Sequence, residues 1–163
     1  MNSNYFEKNK KKILNLYKEQ KFLELIKLGD KLIKLNSNDA QLIYLVGLSS
    51  INLQKFIDAE KYFEKLISIK KKPEIFYTYG NIKKKLKKYN EAIVSFENAI
   101  KLKPDFSEAY NNLGNTKKII HEREEAIFCY QKAIELKNNN IEALISLSAI
   151  LKEDRKYKDL IEV

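Results

Sequence analysis

Residues 73–106 read PEIFYTYGNIKKKLKKYNEAIVSFENAIKLKPDF, and residues 107–140 read SEAYNNLGNTKKIIHEREEAIFCYQKAIELKNNN. Laid one over the other, they put Gly80 on Gly114, Ala92 on Ala126, Phe96 on Tyr130 and Ala99 on Ala133, at a constant offset of 34. Gly47, Ala59 and Phe63 precede Gly80, Ala92 and Phe96 by 33, the difference falling in the short loop before Pro73. Leu25 and Leu32 carry the register back by 34 from Ala59 and Leu66, while Leu144, Leu147 and Ser148 carry it forward from Tyr110, Leu113 and Gly114. An interior helix glycine costs roughly 1 kcal/mol relative to alanine. One that recurs in step therefore marks a place where a partner helix must come close.

With Phe76, Tyr79 and Gly80, then Ala92, Phe96, Ala99 and Pro104, the sequence resembles the tetratricopeptide repeat family, whose unit is two antiparallel helices in 34 residues. Tyr110, Leu113, Gly114, Ala126, Tyr130 and Ala133 repeat the pattern, with Asn138 where proline is usual. The chain departs from it in places: Lys83 and Lys117 fill the tyrosine slot of the first helix, Ile13 stands at a glycine slot, and Gly29 stands where an aromatic belongs. The resemblance implies an all-α, right-handed superhelical solenoid of about four and a half helix pairs in a single domain spanning 1–163. Its units would be approximately 6–39, 40–72, 73–106, 107–140 and a partial 141–163.

The physical logic stands on the residues alone. A two-helix hairpin of this length cannot cover its own apolar face, so neighbours must stack to build a continuous core. Gly47, Gly80 and Gly114 are expected to let the helices carrying Ala59, Ala92 and Ala126 approach, and Phe63, Phe96 and Tyr130 to fill the space between hairpins. The periodicity predicts helices near 4–19, 22–35, 40–53, 56–69, 74–86, 90–102, 107–119, 123–136 and 141–153, with a short tenth from about 157. Asn38, Asp39, Ser107 and Asn140 are candidate N-caps, and Pro73 and Pro104 mark boundaries.

Composition excludes several classes of protein. With 44% apolar and 33% charged residues, the chain is globular rather than disordered. No apolar run approaches the ~18 residues of a membrane span, and the start lacks the apolar segment of a secretion signal, so a cytoplasmic protein without membrane contact is expected. A lone Cys129 and a lone His121 cannot assemble a disulfide framework or a zinc site in one chain. The net charge of +9 rests on lysine, with Arg123 and Arg155 the only arginines. Arginine is the better fork for phosphates and base edges. The basic runs 8–12 and 82–90 therefore read as solvated helix faces, and nucleic acid is not expected as a partner.

First helices of successive units should form an inner wall, on which residues at i, i+4 and i+7 lie together. Opposite the glycine stripe these are Tyr77, Asn81 and Lys84 in one unit and Asn111, Asn115 and Lys118 in the next, with Tyr44 preceding them. Glu74, Glu108 and Glu142 recur at the full period, as do Lys84, Lys118 and Lys152. First-turn acids and last-turn lysines complement the helix dipole, which explains both rows without a ligand. Asparagine is a poor mid-helix residue with no capping work there. Asn81, Asn111, Asn112 and Asn115 thus join Tyr44, Tyr77, Lys84 and Lys118 as the candidate groove.

Family members that clamp a C-terminal carboxylate use a Lys and two Asn from two units and a Lys and an Arg from a third. Asn81 and Asn112 match the two asparagines, but Tyr77, Glu142 and Ser146 stand at the cationic positions, which argues against such a clamp. No nucleophile and base are placed together, and no phosphate-cradling glycine loop occurs, so neither catalysis nor a cofactor nor a metal is expected. The expected function is a scaffold that binds a peptide or helix of another protein, with acidic groups favoured by the lysines. The alternative is the N-terminal regulatory or substrate-presenting part of a larger enzyme, such as a glycosyltransferase or sulfotransferase. A third expectation is self-association through the last helix, where Tyr157, Leu160 and Ile161 are apolar.

Overall fold

Helices follow one another in antiparallel pairs along the whole computed structural model, which describes the backbone of residues 2–161 and the side chains of residues 5–153. They are α1 (Asn2–Lys18), α2 (Phe22–Leu35), α3 (Ala40–Asn52), α4 (Phe56–Ile69), α5 (Pro73–Lys85), α6 (Tyr89–Leu102), α7 (Ser107–Ile119), α8 (Arg123–Leu136) and α9 (Ile141–Ile161). Each packs on the next, and α1 on α3, α5 on α7 and α7 on α9 pack across one intervening helix, so the odd-numbered helices line one side of an all-α solenoid.

The turn inside each hairpin is a repeated device. Gln20, Gln54, Lys87 and His121 take φ of 57°, 57°, 59° and 64°, the left-handed conformation that ends a helix. Around the last of them, the Glu122 N–H donates to the Lys117 carbonyl (3.0 Å) and the His121 N–H to the Lys118 carbonyl (3.1 Å), and the other three turns repeat this pair of bonds. The carbonyls left over at the helix end are thereby satisfied. The turn expected before a tenth helix does not form, because α9 continues through Arg155 to Ile161. The four turns that do form contain neither glycine nor proline, so a bend here would need a following helix to pack back on α9, and among the described residues none does. The side chains of Tyr157, Leu160 and Ile161 lie outside the described residues.

Entry into the next unit depends on N-caps. Asp39 Oδ1 accepts from the Leu42 N–H (2.9 Å) and Asn140 Oδ1 from the Ala143 N–H (3.1 Å). Ser107 is not a cap: its hydroxyl donates to the Ala133 carbonyl (2.8 Å) and accepts from Asn140 Nδ2 (2.9 Å), stitching α7 to α8 and to the start of α9. Asn38 does not cap either; Asp39 does that work.

Cores span the joints between units. Ile43, Ala59, Phe63, Leu66, Ile75 and Ile82 bring α3, α4 and α5 together, and Ala126, Tyr130, Ala133, Ala143 and Ile150 bring α8 to α9. Within a hairpin the glycine meets the aromatic ring of the partner helix most closely, and at Gly114 the Ala126 carbonyl as well. A Cβ on Gly80 would stand 2.7 Å from the Phe96 ring.

Lys83, in the slot the family gives to tyrosine, is 6% exposed and reaches Glu60 of α4 and Glu91 of α6 while lying 4.8 Å from the centre of the Tyr79 ring. Lys88 also bonds Glu60 at 2.7 Å. One unit on, Lys117 instead bonds Glu122, the N-cap residue of α8 in the register of Lys88. The departure from the family pattern is thus matched by acids placed to meet it.

Candidate partner-binding groove

Tyr77 anchors the middle of the inner wall. Its ring lies 6.1 Å from that of Phe96 and 5.0 Å from that of Phe106, centre to centre. Its hydroxyl accepts from Asn112 Nδ2 (2.9 Å), and Asn112 Oδ1 accepts from the Lys84 ammonium (2.6 Å). Burial, opposed by the nearby Glu142 carboxylate and assisted by Lys85, lowers the Lys84 pKa. These three side chains tie α5 to α7. Asn115 makes a second link: its Oδ1 accepts from the Tyr130 hydroxyl (2.8 Å) and its Nδ2 donates to Glu142 of α9 (3.4 Å).

The remaining candidates separate. Asn81 is half-buried and Lys118 exposed, and the side chain of neither makes a hydrogen bond among the described residues. On α5, Asn81 is one turn from Tyr77 and from Lys84, and on α7 Lys118 is one turn from Asn115. Asn111 is not offered to solvent: it is 2% exposed, and its Oδ1 accepts no hydrogen bond. Of the acid row, Glu108 is held by Lys137 (3.3 Å) and Glu142 by Asn115, while the Lys84 of the lysine row is bonded to Asn112.

Tyr44 stands apart from this cluster. It meets Phe63 edge to face, with ring centres 5.9 Å apart, and its other side faces a cleft of about 470 Å³ between α3 and α5. Leu66 and Ile75 complete the floor, and Lys70, Lys72 and Glu74 stand at the rim. Here α3 and α5 pack less closely than α5 and α7. The α4–α5 loop has three residues where the three other inter-unit loops have four.

Sequence reasoning missed Tyr130 and Phe106 as neighbours of the site, since both read as core and loop residues. It missed the cleft too, although the one-residue shortfall before Pro73 was its signal. Outside the wall, His121 is exposed at its turn and Cys129 is buried, with burial pushing its thiol up to about 11. Among the described residues, no group of three or more His, Cys, Asp or Glu side chains could hold a metal ion, and no helix is long and apolar enough to cross a membrane.

Among solved structures, MamA 41-end from Desulfovibrio magneticus RS-1 is 20% identical, with 96% of this chain and 89% of that one covered at a TM-score of 0.86. A second MamA crystal structure is 20% identical over 92% of this chain and 82% of its own, at 0.84. The first TPR of Spaghetti (RPAP3), bound to the HSP90 peptide SRMEEVD, is 24% identical over 72% of this chain and 94% of its own, at 0.68. At these identities the likeness is one of fold. No curated protein sequence matches the chain. Family models described as tetratricopeptide repeat match residues 40–73 and 107–140, and one described as TPR repeat matches 80–118. With four helix pairs and a ninth helix among the described residues, and more than half of its length matched, the chain belongs to the tetratricopeptide repeat family.

Proposed function

We propose that this protein is a non-catalytic scaffold that binds a peptide or helical segment of a partner protein along the wall formed by α3, α5 and α7. The observation that carries this reading is the surface around Asn112. A fixed frame of Tyr77, Asn112 and Lys84 shares α5 with the amide of Asn81 and α7 with the ammonium of Lys118, whose bonding capacity is unspent. Free amides suit the backbone of an extended chain, and the cation suits an acidic side chain or terminus. The peptide-bound TPR of Spaghetti supports the mode of binding. Its peptide is rich in acids, whereas here Glu142 lies 3.4 Å from Asn115, so the partner of this chain should place its acidic groups toward Lys84 and Lys118 instead.

The test is capture from lysate by the wild-type chain and by Asn81→Ala/Lys118→Ala, with the captured proteins quantified. The double variant should melt as the wild type does and lose its specific partner; equal capture would remove the groove reading. Asn115 is unsuited to this test, because its removal would strand the Tyr130 hydroxyl.

Exposed Ile141, Leu144, Ile145 and Leu151 on α9 favour a second contact, self-association through that helix. A light-scattering mass well above one 19.2 kDa chain would support it, and a strict monomer would discard it.

A further inference from the structure

The cleft over Tyr44 has a filled counterpart in the same molecule. Tyr77 occupies on α5 the place that Tyr44 occupies on α3, 33 residues earlier. Phe106, the N-cap residue of α7, meets Tyr77 with ring centres 5.0 Å apart and planes tilted by 40°, and the Lys103 ammonium lies over the Phe106 ring at 4.9 Å. Tyrosine, phenylalanine and lysine thus form a tilted, three-layer contact in the step between α5 and α7.

In the step between α3 and α5 the outer layers are present without the middle one. Lys70 stands in the register of Lys103, again 33 residues earlier. The N-cap residue of α5 is Lys72, which brings no ring, and the loop before it is one residue short. The cleft of about 470 Å³ is lined by Tyr44, Lys70 and Lys72, the counterparts of Tyr77, Lys103 and Phe106, with Leu66 and Ile75 where the next step has Ala99 and Ala109. In the first step the corresponding pair is different again: Lys10, in the register of Tyr44, bonds the N-cap residue Asp39 at 2.6 Å. The wall residue and the next N-cap residue therefore satisfy each other in two steps, while in the step between them Tyr44 is left facing open space.

We propose that this cleft receives an aromatic side chain from an acidic peptide segment of the partner, laid on Tyr44 as Phe106 is laid on Tyr77 and covered by Lys70. The proposal rests on the scaffold reading above and assigns to it a specificity pocket. An aromatic ring offers a flat apolar surface to Tyr44, Leu66 and Ile75, and its outer face attracts a cation. Lys70 and Lys72 against the single carboxylate of Glu74 leave the rim net positive, which favours acids next to the inserted ring.

The experiment titrates the full chain with the blocked pentapeptides EDFED and EDAED and follows backbone amide NMR shifts. EDFED should move Gln41, Tyr44 and Ile75, and EDAED should bind at least about tenfold more weakly. Lys72→Phe, which supplies the missing ring from within, should abolish these shifts. Tyr44→Leu, which keeps the floor apolar but removes its flat ring, should weaken EDFED by about the same factor as the alanine peptide. Equal binding of the two peptides would overturn the proposal, as would EDFED shifts that survive Lys72→Phe in a folded variant. Shifts confined to Asn81, Asn112 and Lys118 would overturn the cleft and leave the groove standing. The absence of any shift at millimolar peptide would overturn the cleft alone, since capture by the groove is measured separately from lysate.

Discussion

Gly114 lies against the ring of Tyr130 so closely that a Cβ built on it would stand 2.8 Å from the ring edge and 3.2 Å from the Ala126 carbonyl oxygen. The ring is fully buried and its hydroxyl is held by Asn115, so it has little freedom to retreat. Gly114→Ala gains about 1 kcal/mol of helix propensity but meets an overpacking cost of about 1–3 kcal/mol. The melting temperature should therefore fall modestly for alanine and clearly further for valine, which gains less propensity and brings two more methyl groups against the ring. A thermal melt in which Gly114→Ala is more stable than wild type would show that the ring yields.

Left-handed backbone at an ordinary residue costs roughly 1–2 kcal/mol that glycine avoids. His121 and Lys87 are exposed and sit at such positions, with φ of 64° and 59°. His121→Gly and Lys87→Gly should each raise stability by about 0.5–1 kcal/mol after the added entropy of the unfolded chain is counted. Urea denaturation midpoints will show it, and two independent increases should add.

Glu60 makes the fold sensitive to acid. Burial raises its pKa, but hydrogen bonds from Lys83 and Lys88 outweigh that, and the net value lies below the ordinary 4.5. A carboxylate depressed in the folded state contributes stability that is complete above its unfolded pKa and is lost as pH falls through the folded one. Urea midpoints should be flat from pH 7 to about 5 and drop progressively below 4.5. Lys83→Met leaves Glu60 with Lys88 alone, so it should cost about 1–3 kcal/mol at pH 7, less than the breaking of an isolated buried pair, and should make the acid limb shallower. An acid limb unchanged in Lys83→Met would assign the effect to other carboxylates.

Asn112→Ala should cost about 1–2 kcal/mol, because it strands the partly buried Lys84 ammonium and the Tyr77 hydroxyl together. Asn81→Ala should stay within about 0.5 kcal/mol of wild type. Melting curves of the two variants side by side check the difference; equal losses would mean that Asn81 has a structural partner after all.

The hairpin array was legible because Gly80 with Phe96 and Gly114 with Tyr130 recur at one spacing, and close packing enforces that pairing. The first unit looked irregular, with Ile13 at the glycine slot and Gly29 at the aromatic slot. In the structure the sizes are simply exchanged between the two helices: Ile13 Cδ1 lies 3.8 Å from where a Gly29 Cβ would be, and Val46 of α3 presses into the same space. Complementary volume is what the fold requires, and a motif written as residue names does not show it. The end of α9 was illegible for a different reason. Gln20, Gln54, Lys87 and His121 carry no turn signature, so the hairpin bend is imposed by the second helix packing back on the first rather than by local preference.

At the candidate site, four asparagines looked equivalent in the sequence. Packing sorts them: Asn111 is buried with its Oδ1 unpaired, Asn112 and Asn115 are bonded across units, and Asn81 is the one that is both unengaged and not buried. Helical periodicity gives the direction of a side chain but not what the neighbouring hairpin offers it.

A linker shortened by a single residue before Pro73 brings consequences out of proportion to its size. It goes with a looser fit of α3 on α5 and with Lys72 at the N-cap where the following joint has the ring of Phe106. An array of this kind can change what it admits by altering connector length between otherwise unaltered modules, so insertions and deletions at such joints are as informative about ligand choice as substitutions on the lining.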